Sequence, residues 1–315
     1  MTYSLNSLYL AIGVSKQAVH QARIRQESFD KELSELVVLA DQLKEEHPGC
    51  GVEKMYYTLG PRFMGRDKFC EVFMDLGYGV KRIRNYHRTT YSGTYFYPNL
   101  IEGMAIKRPF QVVQSDITYF HLNGDFYYMV FIIDVYTRLI VGYSVNDNLR
   151  TEGNIAAMKM ALKTMDNKPW GLIHHSDKGS QYSSKEYTAL LEKNQINISM
   201  GTVAWENPYA ERINGIIKNE YLKRWIINDS KDLKKKVAEA VNHYNTKRLH
   251  RAFKMKFTPM QFYQKLLSLN AQERPTVIVY TEGRKNFLGA SSPFEVCPRE
   301  EPPAHDCPMD ILNEC

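Results

Sequence analysis

The spacing of apolar residues changes along the chain, from a helical pattern in the first third to a strand-like pattern in the middle. Phe29, Leu33, Leu36, Ala40 and Leu43 follow intervals of four and three residues. This pattern is typical of an amphipathic helix in a small domain. The alternative is a short dimerising coiled coil, for which about two heptads are too few.

One helix-turn-helix signal and a further helical pair lie in this first third. Ile12-Gly13-Val14-Ser15 forms a candidate turn, with Ser15 as the N-cap of a second helix and Val14 packed inward with Val19. Residues 52–59 and 67–76 predict a further helical pair, which Gly77 terminates. Residues 85–103 have no helical period and are interpreted as a linker.

Beyond Arg108 the pattern acquires the two-residue period of strands. Residues 112–120 alternate, Asn123-Gly124 is a strong hairpin signal, and residues 126–133 form a continuous apolar run. The elements that follow are a strand at 139–145, a helix at 151–165, a strand at 172–174, a helix at 184–193, a strand near Ile198 and helices from Pro208, at 232–244 and at 259–267. This order predicts an α/β fold, a mixed sheet with flanking helices.

Composition narrows the class of protein. The 315 residues are 43% hydrophobic and 24% charged, as in soluble globular proteins, and no apolar run is long enough to span a membrane. The five cysteines are scattered without a CxxC pair, which indicates neither a zinc site nor a disulfide framework and favours a reducing, cytoplasmic setting.

The net charge of +6 is unevenly distributed. Residues 212–256 contain thirteen Lys/Arg against four Asp/Glu, whereas residues 293–315 contain six acids and one Arg. A basic stretch of this kind indicates a polyanionic partner such as DNA, although a solvated basic helix would have the same composition.

Three carboxylates are candidates for catalysis. Asp116 interrupts the strand VVQSDITYF on the same face as Gln114 and Thr118, and Asp177 follows a short strand, where ligand sites of α/β sheets gather. Glu211 lies in the first turn of a helix that Asn207 would cap, on one stripe with Lys218. Taken singly, each acid has an ordinary alternative: an edge-strand residue, a turn residue and an acid that offsets a helix dipole.

Together, three converging carboxylates would repel one another, and divalent cations would relieve that repulsion. Two Mg²⁺ or Mn²⁺ ions held by Asp116, Asp177 and Glu211 could assist an in-line phosphoryl displacement. Asp116 would bridge both ions, and the other two acids would each complete one side.

The order of strand Asp, strand-end Asp and helix Glu resembles the DDE core of retroviral integrases and bacterial insertion-sequence transposases of the OrfB type. The blocks that carry the resemblance are QSDITYF, FIIDVYTRLIVGYS, HHSDKGSQYSS, ENPYAERINGIIKNEY and NHYNTKRLHRAFKMKFTPMQF, with HPGCGVEKMYYTL ahead of them. The resemblance covers roughly residues 45 to 265 and implies an RNase H-like fold.

One departure from the family pattern concerns the third acid. Thirty-three residues separate Asp177 from Glu211, whereas the family usually has 35, and a shorter loop before Pro208 would account for this. Glu206 and Glu220 are the other candidates, but the first precedes the helix cap and the second lies on the apolar side. We interpret Asp134 as structural, and His174 and His175 as packing or phosphate-contacting residues.

The pattern and the resemblance together predict four regions and a set of DNA contacts. The regions are a helical part with a candidate helix-turn-helix at 1–45, a second such segment and linker at 46–100, the catalytic core at 101–265, and a short strand with a disordered acidic tail at 266–315. The residues expected to contact double-stranded DNA are Lys218, Lys178, Lys223, Arg224, Lys234, Lys235, Lys247, Arg248, Arg251, Ser15 and Gln17.

The function that follows is transposition: nicking at the element's ends and strand transfer into target DNA by a homo-oligomer, in a bacterial cytoplasm near the nucleoid. Two rival hypotheses remain. A structure-specific nuclease of the same fold would not need end-binding helices, and a DNA-binding repressor derived from a transposase would not need the acids.

Overall fold

The computed structural model describes residues 9, 11–81, 96–166 and 170–279. Its helices are α1 (Lys16–Glu46), α2 (Val52–Leu59), α3 (Arg66–Asp75), α4 (Thr151–Thr164), α5 (Lys185–Lys193), α6 (Pro208–Ile216), α7 (Ser230–Thr246) and α8 (Pro259–Leu267). Its strands are β1 (Ala105–Ile106), β2 (Val112–Leu122), β3 (Asp125–Asp134), β4 (Ile140–Asn146), β5 (Ile173–Ser176), β6 (Asn197–Met200) and β7 (Val277–Ile278).

The central sheet has the strand order β4-β3-β2-β5-β6. The first three strands are antiparallel neighbours, and β5 and β6 run parallel to β2. Helices α4 and α5 pack on one face of the sheet, and α6 and α7 pack on the other. The predicted mixed sheet with flanking helices is therefore confirmed.

The hairpin between β2 and β3 shows how local sequence sets the register. Leu122 pairs with Asp125, so only Asn123 and Gly124 form the loop. Both have positive φ, at 52° and 94°, as a type I′ turn requires. This register places Asp116 opposite Phe131 in β3, on the face that α6 and α7 cover.

The N-terminal helices form one unit rather than two. Ser15 caps α1 by accepting a hydrogen bond from Ala18 N, as predicted, but α1 then continues for 31 residues. Phe29, Leu33, Leu36, Ala40 and Leu43 all pack against α2 and α3, which confirms the amphipathic helix in a small domain. Val14 is exposed, so the expected inward packing of that residue is wrong.

The structure shows what lies near two of the predicted region boundaries. Helix α1 ends at Glu46, and one apolar core unites it with α2 and α3. At the other end, the short strand predicted within residues 266–315 is β7, which pairs with β1, and Val277 and Val279 pack with α8. The acidic segment predicted to be disordered lies outside the described residues.

None of the helices in the described part of the chain is long and apolar enough to cross a lipid bilayer.

Candidate active site

Asp116 lies in the middle of β2, and its carboxylate is held by two hydrogen bonds. Ile117 N donates to Oδ1 and Asn214 Nδ2 donates to Oδ2, both at 2.8 Å. Asn214 belongs to α6, so one of these bonds joins the strand to the helix that carries Glu211.

Further polar contacts fasten the start of α6 to β2. Asn207 Nδ2 donates to Ser115 O at 2.8 Å, and Tyr209 N donates to Gln114 Oε1 at 2.9 Å. Asn207 occupies the predicted N-cap position before Pro208, but its buried side chain makes no capping hydrogen bond. It anchors the helix to the strand instead, which brings the first turn of α6 beside Asp116.

Asp177 immediately follows β5, which is the parallel neighbour of β2. Gly179 N donates to Asp177 Oδ1 at 3.0 Å, which folds the loop back on the carboxylate. Below this loop, the buried hydroxyls of Tyr182 and Ser115 lie 2.8 Å apart and tie it to β2. The end of β5 is thereby held next to the middle of β2.

The three acids influence one another electrostatically. Burial, the charge of Asp177 and the charge of Glu211 raise the pKa of Asp116 to about 8, against the two hydrogen bonds that lower it. Burial and the charge of Asp177 also raise the pKa of Glu211, which lies exposed in the first turn of α6. The fold therefore gathers the predicted trio into one region of mutual repulsion.

In the described segments, no three His, Cys, Asp or Glu side chains stand close enough together to enclose a metal ion. The donor set nevertheless fits a hard divalent cation, because it consists of carboxylate oxygens whose repulsion a cation would relieve.

The alternative third acids are engaged elsewhere. The Glu206 carboxylate accepts the backbone N–H groups of Thr202 and Val203. Glu220 is bound by Arg248 and two further basic side chains. Neither carboxylate is free to serve the site, so Glu211 remains the candidate.

Three residues near the site, Asp134, His174 and His175, are buried and make structural contacts. Asp134 is fully buried and accepts hydrogen bonds from Phe110 N and from Thr137 N and Oγ1. His174 bonds Tyr187 and His175 bonds Ser199, and burial lowers their pKa values to about 3 and about 4. Both rings are therefore neutral packing residues rather than phosphate ligands.

Two of the lysines expected to contact DNA lie over aromatic rings. Lys218 Nζ lies 5.2 Å from the centroid of the Tyr119 ring, and Lys178 Nζ lies 4.6 Å from that of Phe96. Burial, followed by the nearby charge of Lys223, lowers the pKa of Lys218, and Asp116 acts in the opposite direction. Lys218 is thus near enough to sense the charge of the candidate catalytic acid.

The other expected DNA contacts have varied environments. Arg248 is buried and makes two hydrogen bonds of 2.8 Å to Glu220, so the prediction that it contacts DNA is wrong. Lys247 and Arg251 are exposed but pair with Glu46 and Glu53 of the helical unit, each at 2.7 Å.

Arg224 donates to two backbone carbonyls, Asn219 O and Lys81 O. Gln17, Lys234 and Lys235 are exposed.

Sequence reasoning missed Asn207 and Glu220 as anchoring residues, and it missed that α6 continues into a π-helical turn, Ile217–Leu222. The prediction that Glu211 and Lys218 lie on one stripe of the helix assumed a regular α-helix. The unused signal for Glu220 was an acid on the apolar side of a helix, which requires a buried partner.

Comparisons with known proteins show what the middle of the chain is similar to. Two family models, both described as integrase core domain, match residues 106–204 and 193–259. The matched segments contain the whole central sheet, the three candidate acids and α7.

Several relatives are encoded by bacterial insertion elements. An uncharacterized 31 kDa protein of insertion element IS600 from Shigella sonnei is 29% identical over 73% of this chain and 86% of its own length. The transposase for insertion sequence element IS629 from Shigella sonnei is 35% identical over 45% of this chain, and the transposase for IS904 from Lactococcus lactis is 32% identical over 49%. The matches span 48% and 62% of those two transposases.

Among solved structures, the HTLV-2 integrase catalytic core domain in complex with magnesium is 19% identical, with a TM-score of 0.40, over 52% of this chain and 99% of that one. A simian T-cell lymphotropic virus intasome in complex with a PP2A regulatory subunit is 15% identical, with a TM-score of 0.46, over 70% and 71%.

Residues 106–259, which contain the central sheet, thus match the integrase core domain. The chain is similar to proteins of bacterial insertion elements, several of which are named as transposases.

Proposed function

We propose that this protein nicks the 3′ ends of its insertion element and joins them to target DNA, with two divalent cations, Mg²⁺ or Mn²⁺, held by Asp116, Asp177 and Glu211. The observation that carries the proposal is the raised pKa of Asp116, to about 8, by burial and by the charges of the other two acids. Such crowding of carboxylates costs stability, and a function that binds cations there accounts for it.

The reaction is one displacement used twice. In nicking, a water oxygen attacks the phosphorus at the element's end, and the bond to the 3′ oxygen breaks to leave a 3′-hydroxyl. In joining, that hydroxyl attacks a target phosphodiester and expels its 3′ oxygen. When bound, a pair of divalent cations activates the attacking oxygen and stabilises the leaving one.

The chain's own contribution is the rigid placement of the ligands. Hydrogen bonds from Ile117 N and Asn214 Nδ2 orient the Asp116 carboxylate, and the bond from Asn207 to Ser115 O keeps α6 against β2. Such supporting contacts fix the geometry on which in-line attack depends.

DNA would approach through the lysines near the acids. Lys218 feels the charges of Asp116 and Lys223, and Lys178 follows Asp177 directly in the chain. Phosphate contacts from these residues would position DNA without reading its sequence. A homo-oligomer bridging two element ends, with the N-terminal helices recognising them, completes the proposal.

The test uses DNA that carries the inverted repeats flanking the gene, in Mg²⁺. Glu211→Gln is expected to reduce nicking and the joining of pre-nicked ends by more than about 100-fold, because a charged ligand is lost, while DNA affinity changes little. Glu192→Gln, an exposed acid of α5, is the matched control and is expected to behave as wild type. Nicking without joining by the wild type would favour a nuclease; full activity of Glu211→Gln would refute the assigned triad.

A further inference from the structure

A cluster of charged side chains joins the N-terminal helical unit to the helix that carries Glu211. The Glu220 carboxylate accepts two hydrogen bonds of 2.8 Å from Arg248. His47 Nε2 and Lys54 Nζ lie 2.7 Å and 3.3 Å from Glu220 Oε2. We call these four residues the Glu220 junction. They come from three segments: the helical unit, the π turn after α6 and the chain after α7.

The junction depends on its charge. Burial would raise the pKa of Glu220, but hydrogen bonds from Arg248 and His47 outweigh burial and hold that pKa well below its usual range. Burial lowers the pKa of His47 to about 3, so this ring is neutral and donates through Nε2–H. Loss of the carboxylate would leave the buried Arg248 guanidinium without its counter-charge, which is costly.

The backbone of the helical unit also lies directly against the backbone of the π turn at this junction. Gly49 N donates to Glu220 O at 2.8 Å. A Cβ on Gly49 would lie 2.3 Å from Glu220 Cα, which leaves no room for any side chain. The His47 ring stacks on Tyr221, with ring centroids 4.7 Å apart and planes 8° from parallel. The loop after α1 therefore rests directly on the π turn.

The π turn is continuous with α6, because Pro208–Ile216 leads without a break into Ile217–Leu222. Glu220 is nine positions after Glu211, a span of roughly 13 Å along a helix. A helix is stiff over this distance, so a displacement at Glu220 is transmitted to Glu211. At its other end the helix is held to β2 by Asn207.

We propose that the Glu220 junction is a positioning device for Glu211: the docked helical unit sets where the carboxylate stands relative to Asp116 and Asp177. This inference rests on the function proposed above. It assigns the N-terminal unit a role in the chemical step that is separate from any binding of DNA.

The full-length protein offers a matched pair of glycines for the test. Gly49→Ala forces the loop away from the π turn, whereas a Cβ on Gly51 meets nothing within 4 Å and its φ of −73° suits alanine. Glu220→Gln is a second perturbation, which removes the charge and keeps the shape. The quantities to measure are the Mg²⁺ concentration for half-maximal nicking, kcat at saturating Mg²⁺, and the affinity for element-end DNA without metal.

Gly49→Ala and Glu220→Gln are expected to raise the Mg²⁺ requirement about tenfold and to lower kcat by about tenfold or more. DNA affinity should stay within about twofold, and Gly51→Ala should match wild type. If the junction contributes only to stability, the variants will lose activity and DNA binding in parallel. The molecules that remain folded will then need the same Mg²⁺ concentration for half-maximal nicking as the wild type. That pattern would overturn the proposal.

Amide hydrogen exchange across residues 208–222, in protein free of metal and DNA, separates this inference from the proposed function. Gly49→Ala is expected to accelerate exchange there by about tenfold, because the helix loses its clamp. Unchanged exchange would overturn the positioning role, whether or not the wild type is active. If Gly49→Ala accelerates exchange but the wild type neither nicks nor joins DNA, the positioning of the helix by the junction would be supported and the proposed function would be refuted.

Discussion

The crowding of the three acids makes a prediction about stability that requires no substrate. Asp116 has a pKa of about 8 in the folded chain, against 3.8 as its ordinary value. Between pH 3.8 and about pH 8 the folded state holds a proton that the unfolded state has lost. The free energy of unfolding therefore decreases as pH rises through this window. Asp116→Asn removes the titration, and its stabilising effect should therefore increase from pH 5 to pH 8.

The size of the effect follows from the shift. One pKa unit corresponds to about 1.36 kcal/mol, so three units of pH give an upper limit of about 4 kcal/mol. Asp116 is partly accessible to solvent, and screening reduces the expected gain to on the order of 1–2 kcal/mol. The substitution need not cost a hydrogen bond, because Asn214 Oδ1 has no partner and can accept from the new amide after a flip.

Urea unfolding at pH 5 and pH 8, with EDTA present, measures this difference. Asp125→Asn, at an exposed position beside the hairpin, is the control and should show no comparable dependence on pH. A gain from Asp116→Asn that is equal at both pH values, or a loss of stability at pH 8, would show that the carboxylates are not crowded in solution.

The remaining predictions concern the structural role of Asp134, the DNA contact of Lys218 and the pH dependence of nicking. Asp134→Ala should lower the free energy of unfolding by about 3 kcal/mol, because it leaves the buried donors of Thr137 unsatisfied; urea unfolding with a loss under about 1 kcal/mol would contradict this. Lys218→Ala should weaken DNA binding and reduce the slope of log Kd against log salt by about one, and an unchanged slope in a fluorescence titration would exclude a phosphate contact. Nicking at subsaturating Mg²⁺ should increase from pH 6 to about pH 8, because Asp116 must lose its proton to bind a cation; a flat profile would contradict its raised pKa.

Much of the fold could be predicted because it depends on residues that are neighbours in the chain. Helix α8 has its predicted bounds, since Thr258 and Gln261 form a capping box and Pro259 occupies the first turn. The Asn123-Gly124 turn likewise fixes the register of β2 and β3 through residues that are adjacent in the chain. The candidate acids were found through their positions in such elements, together with the family resemblance.

The contacts that orient the site could not be predicted, because each depends on a partner far away in the chain. The bond from Asn207 to Ser115 spans 92 residues, and the pair of His47 with Glu220 spans 173. Periodicity reports which face of a helix is buried, but not which polar group it meets there. Thus Asn207 was expected to cap a helix that it instead anchors.

The basic stretch at residues 212–256 shows that composition alone does not reveal which positive charges are already paired with acids in the fold. Its positive charge indicated a DNA surface, yet three of the residues expected to contact DNA pair with acids: Lys247 with Glu46, Arg251 with Glu53 and Arg248 with Glu220. The first two pairs are exposed, and such pairs contribute only about 0.2–1 kcal/mol each, so DNA phosphates can replace Glu46 and Glu53 at little cost. Arg248 is different, because its guanidinium is buried and makes two hydrogen bonds to Glu220, and withdrawing it would remove both of these bonds from that carboxylate. In the expected complex with DNA, phosphates would therefore contact Lys247 and Arg251 without disturbing the Glu220 junction.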